Sequence, residues 1–167
     1  PGADVRTQMI GWLTQRFGVD AAQAERVSRT AQALLAPMLG KADAERHLRK
    51  LRWAAQLHEV GMRISHSDYH KHGAYILDQS DALGFTQSEL HKLSLLVLGH
   101  RGKLRKLEAD FTDISFVQQL LALRLAVILC HARSDPITEG LALSAPRKAS
   151  KSFELQYAQG WDRAFPQ

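Results

Sequence analysis

The stretch from Leu57 to His72 reads LHEVGMRISHSDYHKH and holds four of the eight histidines in the chain. An apolar segment leads into it, which predicts a helix whose end carries the adjacent His58 and Glu59. Gly61 is expected to end that helix, and a polar loop then leads into a second helix that begins near Asp68. A histidine beside a carboxylate, followed by further histidines, is typical of sites that bind a metal ion or a phosphate group. The residues alone leave both possibilities open.

Length and composition predict one globular domain. The chain has 167 residues, of which 45% are hydrophobic and 23% are charged, and these values are ordinary for a folded domain. Its longest apolar segment, Phe116–Cys130, is interrupted by two glutamines and an arginine, so it predicts a buried helix and no membrane span. No secretory signal opens the chain and Cys130 is the single cysteine, so we expect a cytoplasmic protein without disulfide bonds. The start at Pro1-Gly2, without methionine, predicts a piece of a longer protein.

The charge balance narrows the classes of partner. A net charge of +5 favours polyanions such as nucleic acid, anionic lipid or a chain of phosphates. Aromatic residues make up only 7% of the chain and do not alternate with basic ones. Because single-stranded nucleic acids need such stacking platforms, we expect no nucleic-acid partner.

Hydrophobic periodicity predicts an all-α domain with a small β appendage. The appendage follows Pro136, as short strands at Leu141–Leu143 and Phe153–Tyr157 around a turn containing Pro146. We therefore divide the chain into a helical domain, residues 1–135, and an edge of a truncated C-terminal element, residues 136–167. The predicted helices begin near Asp4, after Asp20, at Asp43, near Ser67 or Asp68, at the capping box Thr86–Glu89, and at Asp113 or Ser115.

The order of these parts resembles the HD phosphohydrolase superfamily, named after a His-Asp pair. The matching blocks are Leu57-His58-Glu59-Val60-Gly61, then His72-Gly73-Ala74-Tyr75-Ile76-Leu77, then His100-Arg101 before the long apolar helix. The sequence is more similar to the C-terminal HD-like domain of the exopolyphosphatase / guanosine pentaphosphate phosphohydrolase family, in which glutamate stands in place of the aspartate. The resemblance runs from about Val5 to about Ala132. It implies an HD-domain-like bundle of about six to seven helices.

The resemblance also implies a function. In this family hydrolysis is carried out by N-terminal actin-like domains that use Mg²⁺ and a carboxylate base, and nothing in this chain resembles them. It therefore implies a non-catalytic accessory domain of an exopolyphosphatase, which binds inorganic polyphosphate, holds no cofactor of its own and supports a homodimer. The apolar Phe116–Cys130 helix is expected to offer surface for that dimer. Three alternatives stay open: the guanosine pentaphosphate branch, a stand-alone HD-type metal phosphohydrolase, and a helical module that binds nucleic acid or protein.

The HD motif itself departs from a working metal site. The resemblance would place an early ligand within Gln23–Val27, which has no histidine, and a late aspartate within Arg124–Val127, which has no carboxylate. With only His58 and Glu59 left, a divalent cation lacks donors unless later histidines substitute. We therefore predict a degenerate HD motif and no metal. We therefore favour a structural role, in which His58 stabilises the helix end and Glu59 pairs with Arg63, over a metal or phosphate role.

Two basic clusters flank the LHEVG turn in the motif order of the fold. The first is His66-His70-Lys71-His72, and the second is His100-Arg101-Lys103. We expect them to line one groove that meets successive phosphates of an extended chain, with binding that strengthens below about pH 6.5 as histidines gain charge. His66 and His70 share a helix face only if the second helix starts early. The alternative for the first cluster is a solvated loop. The alternative for the second is a solvated charged surface. The predicted polyphosphate-binding residues are His66, His70, Lys71, His72, His100, Arg101 and Lys103.

Overall fold

The structure is a computed structural model, and it describes residues 2–144 and 154–157. Within these residues the chain forms six α-helices and one pair of short antiparallel strands. The helices are α1 (Gly2–Arg16), α2 (Ala21–Leu35), α3 (Ala44–Leu57), α4 (Tyr69–Asp78), α5 (Gln87–Gly99) and α6 (Ile114–Leu129). The strands are β1 (Leu141–Ser144) and β2 (Glu154–Tyr157), and short 3₁₀ turns lie at Ala36–Met38, Val60–Arg63 and Leu104–Lys106. The predicted all-α fold with a short β appendage is confirmed.

Polar caps fix where three of the helices begin. Asp20 caps α2, its carboxylate accepting from the backbone N–H of Gln23 at 3.1 Å. Thr86 and Glu89 form the predicted capping box at the start of α5, each side chain accepting from the other residue's backbone N–H. Such caps satisfy N–H groups that have no partner within the helix. Asp113 does the same for α6, so the sequence predicted all three starts.

The last helix lies at the centre of the bundle. Phe116, Leu120, Leu123 and Ala126 are all buried, and α2, α3 and α5 pack against α6. A helix that is apolar on every side is expected to be covered on most of them. Ile114 and Ile128, near its two ends, are exposed, so the expectation that this helix offers surface for a dimer stays a prediction.

A close approach of two backbones positions the predicted site. After α3 the 3₁₀ turn Val60–Arg63 packs against α4. At Gly61 an added Cβ would overlap the carbonyl oxygen of Tyr69 and lie 2.5 Å from the backbone nitrogen of Gly73. Only glycine allows this contact. It brings the end of α3 against the start of α4, where the histidines are concentrated.

The β appendage contacts the helical bundle. Strand β1 packs against α2 and against the 3₁₀ turn Ala36–Met38, and Leu143 is buried. In the strand pair Leu141 lies opposite Tyr157. The predicted turn at Pro146 and the strand start at Phe153 lie outside the described residues, and the division after residue 135 stays a prediction. Among the described helices, none combines the length and apolar character that a membrane crossing requires.

Candidate functional site

The His58–Glu59 pair is buried at the end of α3, with 2% and 6% of each residue exposed. The Nδ1 atom of His58 lies 2.5 Å from the carbonyl oxygen of Ala55. The proton is therefore assigned to Nδ1, which donates to that carbonyl. The other side of the ring packs edge-to-face on His100, with 5.1 Å between the ring centroids. His58 is thus held as a core side chain.

Glu59 is paired with an arginine from the far end of the chain. Nη2 of Arg133 donates to Oε2 of Glu59 at 2.9 Å, and Nη1 donates to Oδ2 of Asp20 at 3.1 Å. Glu59 and Asp20 thus hold the Arg133 guanidinium between α3 and α2, and the hydrogen bond that Arg133 donates to Glu59 raises the pKa of Arg133. The expected pairing of Glu59 with Arg63 is wrong, because the Glu59 carboxylate pairs with Arg133 instead.

The donor set around this pair does not fit a divalent cation. Gln23 and Val127, from the two segments where the missing ligands would fall, line the same pocket of about 500 Å³ as His58 and Glu59. Gln23 uses its amide elsewhere, donating to the carbonyl of Cys130 at 2.9 Å. Within residues 2–144 and 154–157 no three His, Cys, Asp or Glu side chains come together as a metal group. An uncharged amide, a valine side chain and an arginine paired with the carboxylate offer a metal too few donors.

Three buried histidines, His58 of the pair together with His70 and His100, form a cluster with Tyr69. His100 donates from Nδ1 to the carbonyl of Val97, and its Nε2 accepts from the Tyr69 hydroxyl at 3.1 Å. His70 packs edge-to-face with His100 at 6.3 Å. Burial lowers the pKa of His58, His70 and His100, and His58 lowers that of His100 further. These rings are therefore neutral at physiological pH.

Lowering the pH from about 7.5 to about 5.5 is expected to destabilise the domain. In the unfolded chain the three rings take up protons near their ordinary pKa of about 6.5, whereas the folded state keeps them neutral to lower pH. The stability that the three neutral rings contribute is therefore fully present above their pKa in the unfolded chain. It falls as the pH drops through about 6.5, by up to about 1.4 kcal/mol per pH unit for each group. Urea midpoints across this range check the slope, and a midpoint that rises on acidification would contradict it.

A basic groove lies beside the cluster. Its volume is about 320 Å³, and it runs between the start of α4 and the segment after α5. Four of the seven predicted polyphosphate-binding residues line it: His70, Lys71, Arg101 and Lys103. Lys106 also lines it and is not among the predicted residues. The guanidinium of Arg101 lies 4.8 Å from the centre of the Tyr69 ring and also lines the pocket of the His58–Glu59 pair.

The other three predicted residues do not line the groove. His100 is 2% exposed, and both ring nitrogens already have partners. His66 is exposed, and α4 begins only at Tyr69, so the early helix start that would place His66 and His70 on one face does not occur. His72 is half-buried on α4 and lines neither pocket. The phosphate contacts of all seven residues stay predictions.

The site defines a class: an HD-like helical domain whose His58–Glu59 pair lies next to a basic groove. A family model described as "Ppx/GppA phosphatase, domain III" matches residues 5–166. This chain belongs to the Ppx/GppA phosphatase family, as a domain III. The resemblance drawn from the LHEVG block is confirmed.

Relatives carry a common name. The "Guanosine-5'-triphosphate,3'-diphosphate pyrophosphatase" of Pseudoalteromonas translucida (strain TAC 125) is 34% identical over 169 residues, covering 98% of this chain and 33% of the relative. A protein of that name from Vibrio cholerae serotype O1 (strain ATCC 39541) is 34% identical over 146 residues, covering 85% of this chain and 29% of its own. One from Aeromonas hydrophila is 33% identical over 164 residues, covering 95% and 32%. The chain spans about a third of the length of these relatives.

Proposed function

We propose that this chain is a non-catalytic accessory domain of a phosphoanhydride hydrolase and that its basic groove binds a linear chain of phosphates. The observation that carries the proposal is the convergence of Lys71, Arg101, Lys103 and Lys106 on one groove. An exopolyphosphatase acts on such a chain, and the nucleotide in the relatives' printed name carries a triphosphate and a diphosphate group. The names of the relatives favour the guanosine branch over the exopolyphosphatase branch.

The charges of the groove support an anionic ligand. Arg101, Lys103 and Lys106 are exposed, and none forms an ion pair with a carboxylate in the described part of the chain. The acidic residue that lines the groove is Asp68, which pairs with Lys71 at 3.7 Å. Several uncompensated cations along one groove attract a polyanion by releasing its counterions.

The loop that carries these cations is held in place. Arg124 on α6 donates to the carbonyl of Gly99 at 2.7 Å and to that of Gly102 at 3.0 Å. Gly102 has a positive φ of 85°, a conformation that favours glycine. Because the loop is fixed to the central helix, its basic side chains stay close together without a ligand, which lowers the entropic cost of binding.

The role of a non-catalytic accessory domain is supported by the contacts of the His58–Glu59 pair. His58 and Glu59 are engaged by Ala55 and Arg133, and the donor set does not fit a metal. We propose that hydrolysis takes place outside this domain and that the groove extends the path of the phosphate chain. Arg101 lines both the groove and the adjacent pocket, so the path continues past it.

Replacing Lys103 or Arg101 by alanine is expected to weaken binding of long-chain polyphosphate. A charge-assisted contact contributes about 1–2 kcal/mol, so each change should cost about tenfold in affinity. Each should also reduce the slope of log affinity against log salt by about one. The matched control is Lys41→Ala, an equal loss of charge at an exposed turn. Titrations at several salt concentrations measure both quantities.

Equal losses in Lys103→Ala, Arg101→Ala and Lys41→Ala would leave only diffuse attraction to a +5 surface. Guanosine pentaphosphate and inorganic tripolyphosphate, compared with the long chain, distinguish the two branches. A guanosine ligand that binds no better than tripolyphosphate would favour the exopolyphosphatase branch. Because the pKa of His70 is lowered, its contribution at acidic pH should begin below the ordinary histidine range.

We also propose the homodimer, on a different surface from the one expected. Met9, Trp12, Ile76 and Leu83 line an apolar groove of about 510 Å³ between α1 and the segment after α4. Trp12 and Leu83 are 56% and 68% exposed, and exposed apolar patches mark interaction sites. Light scattering at tens of micromolar, which is about tenfold above a weak-dimer Kd, is expected to show a dimer that Trp12→Glu converts to monomer. A monomer in both proteins would contradict it.

A further inference from the structure

A separate cavity lies between the N-terminal halves of α3 and α5 and the start of α6. Its volume is about 260 Å³, and it shares no lining residue with the basic groove or with the pocket of the His58–Glu59 pair (the HD pocket). Its apolar lining comes from core side chains. Trp53, Leu93, Leu96 and Phe116 are all buried, and the edge of Phe85 packs on Trp53 at 5.1 Å between the ring centroids.

The charged lining of the cavity is mainly basic. Arg46, Lys50 and Lys92 line it, together with His47. Two carboxylates also line it, and both have partners. Glu89 forms an ion pair with Arg6 at 2.8 Å, and Oδ1 of Asp113 accepts a hydrogen bond from the backbone N–H of Phe116 at 3.2 Å.

The two lysines are not neutralised. Within the described residues neither Lys50 nor Lys92 has a carboxylate within ion-pair distance. Burial lowers the pKa of Lys50, the neighbouring Lys92 and Arg46 lower it further, and the Glu89 carboxylate raises it by less. Like charges held together at the mouth of a partly enclosed cavity repel one another, and an anion between them relieves that repulsion.

Polar groups at the deep end complete the lining. Gln119 is buried and donates from Nε2 to the carbonyl of His47 at 3.0 Å, which leaves its Oε1 as an acceptor. Ser115, in the first turn of α6, adds a hydroxyl. A mostly apolar wall with a few converging polar groups is typical of small-molecule sites.

We propose that this cavity binds a small organic anion, whose apolar or aromatic body packs against Phe116 and Trp53 and whose phosphate or carboxylate group lies between Lys50 and Lys92. Pockets for drug-sized ligands have volumes of about 300–1,000 Å³, so this one suits a ligand of about one ring. An inorganic anion would leave the apolar wall uncovered. A neutral ring would leave the two lysines uncompensated.

The test uses phenyl phosphate as the probe, with benzoate as the carboxylate counterpart. Both are titrated into the full chain while the indole N–H of Trp53 is followed by NMR, with the exposed Trp12 as internal reference. The expected result is a saturable shift at Trp53 and at the backbone amides of Lys50 and Ser115. Inorganic phosphate and phenol, each carrying half of the chemistry, are expected to bind at least about tenfold more weakly.

Variants separate this cavity from general attraction of anions. Lys92→Gln removes an exposed charge at the mouth and should weaken phenyl phosphate binding by about tenfold. Lys106→Gln, the same change in the basic groove, should leave it unaltered. A lack of saturable shifts would overturn the proposal, as would equal losses in both variants or shifts confined to Arg101 and Lys103. If one of benzoate and phenyl phosphate binds clearly better, that result identifies the anionic group.

Discussion

A Gly61→Ala variant is expected to lose about 3 kcal/mol or more of folding stability. The added methyl group would overlap the carbonyl oxygen of Tyr69 and approach the backbone nitrogen of Gly73 to 2.5 Å. All of these neighbours are backbone atoms, so no side chain can rotate away, and the Val60–Arg63 turn must separate from α4. A loss of this size is a large share of the total stability of a small domain. Urea unfolding followed by circular dichroism measures it.

Gly11→Ala is the matched control. Gly11 lies within α1, is exposed, and would place its Cβ with nothing within 4 Å. Alanine in an open helical position is expected to stabilise the domain by about 0.5–1 kcal/mol. The two variants add the same methyl group, so opposite signs would show that backbone contact between the turn and α4 is responsible. A Gly61→Ala midpoint within error of the parent would show that the turn and α4 do not pack this closely.

The fold was predictable from the sequence because its main signals are local. Asp20, Thr86 with Glu89, and Asp113 are caps that lie within one turn of the N–H groups they satisfy. The Phe116–Cys130 segment is mostly apolar, which predicts its burial. The exposure of a side chain such as Ile128 was not predictable, because composition does not show which neighbours cover a side chain.

The site was predictable only in part. Lys71, Arg101 and Lys103 line one groove, because the start of α4 lies beside the end of α5, as the order of motifs in the resemblance indicated. The resemblance also marked the Gln23 and Val127 segments, both of which reach the HD pocket. The burial of His100 was not predicted, since a histidine beside arginine and lysine in sequence looks exposed.

Contacts between distant segments leave no pattern in the sequence. Glu59 and Arg133 are separated by 74 positions, and no spacing rule relates them. Lys50 and Lys92 belong to different helices, and each looks like an ordinary surface lysine until α3 and α5 are packed together. The chemistry of both sites therefore depends on tertiary packing and could not be derived from local periodicity.

An Arg133→Ala variant is expected to lose about 2 kcal/mol of stability. It leaves the buried carboxylate of Glu59 without its partner, and breaking a buried ion pair by removing one member costs about 3–5 kcal/mol. The expected loss of stability lies below that range, because the Arg133 side chain is 45% exposed and water reaches part of the pair. The same guanidinium also holds Asp20 at the start of α2. Urea unfolding gives the loss, and Arg29→Ala, an exposed arginine with ion pairs of its own, should change stability by less than about 0.5 kcal/mol.

A Glu59→Gln change made in the Arg133→Ala background distinguishes an unpaired charge from lost packing. If the buried charge is the cause, glutamine removes the charge while keeping the shape, and the double variant should recover about half or more of the loss. If the loss comes from the arginine's contacts with Asp20 and the turn after α6, the glutamine change should add its own cost instead. A double-mutant cycle on the four proteins measures the coupling. A coupling energy near zero would show that the Arg133–Glu59 ion pair does not stabilise the fold.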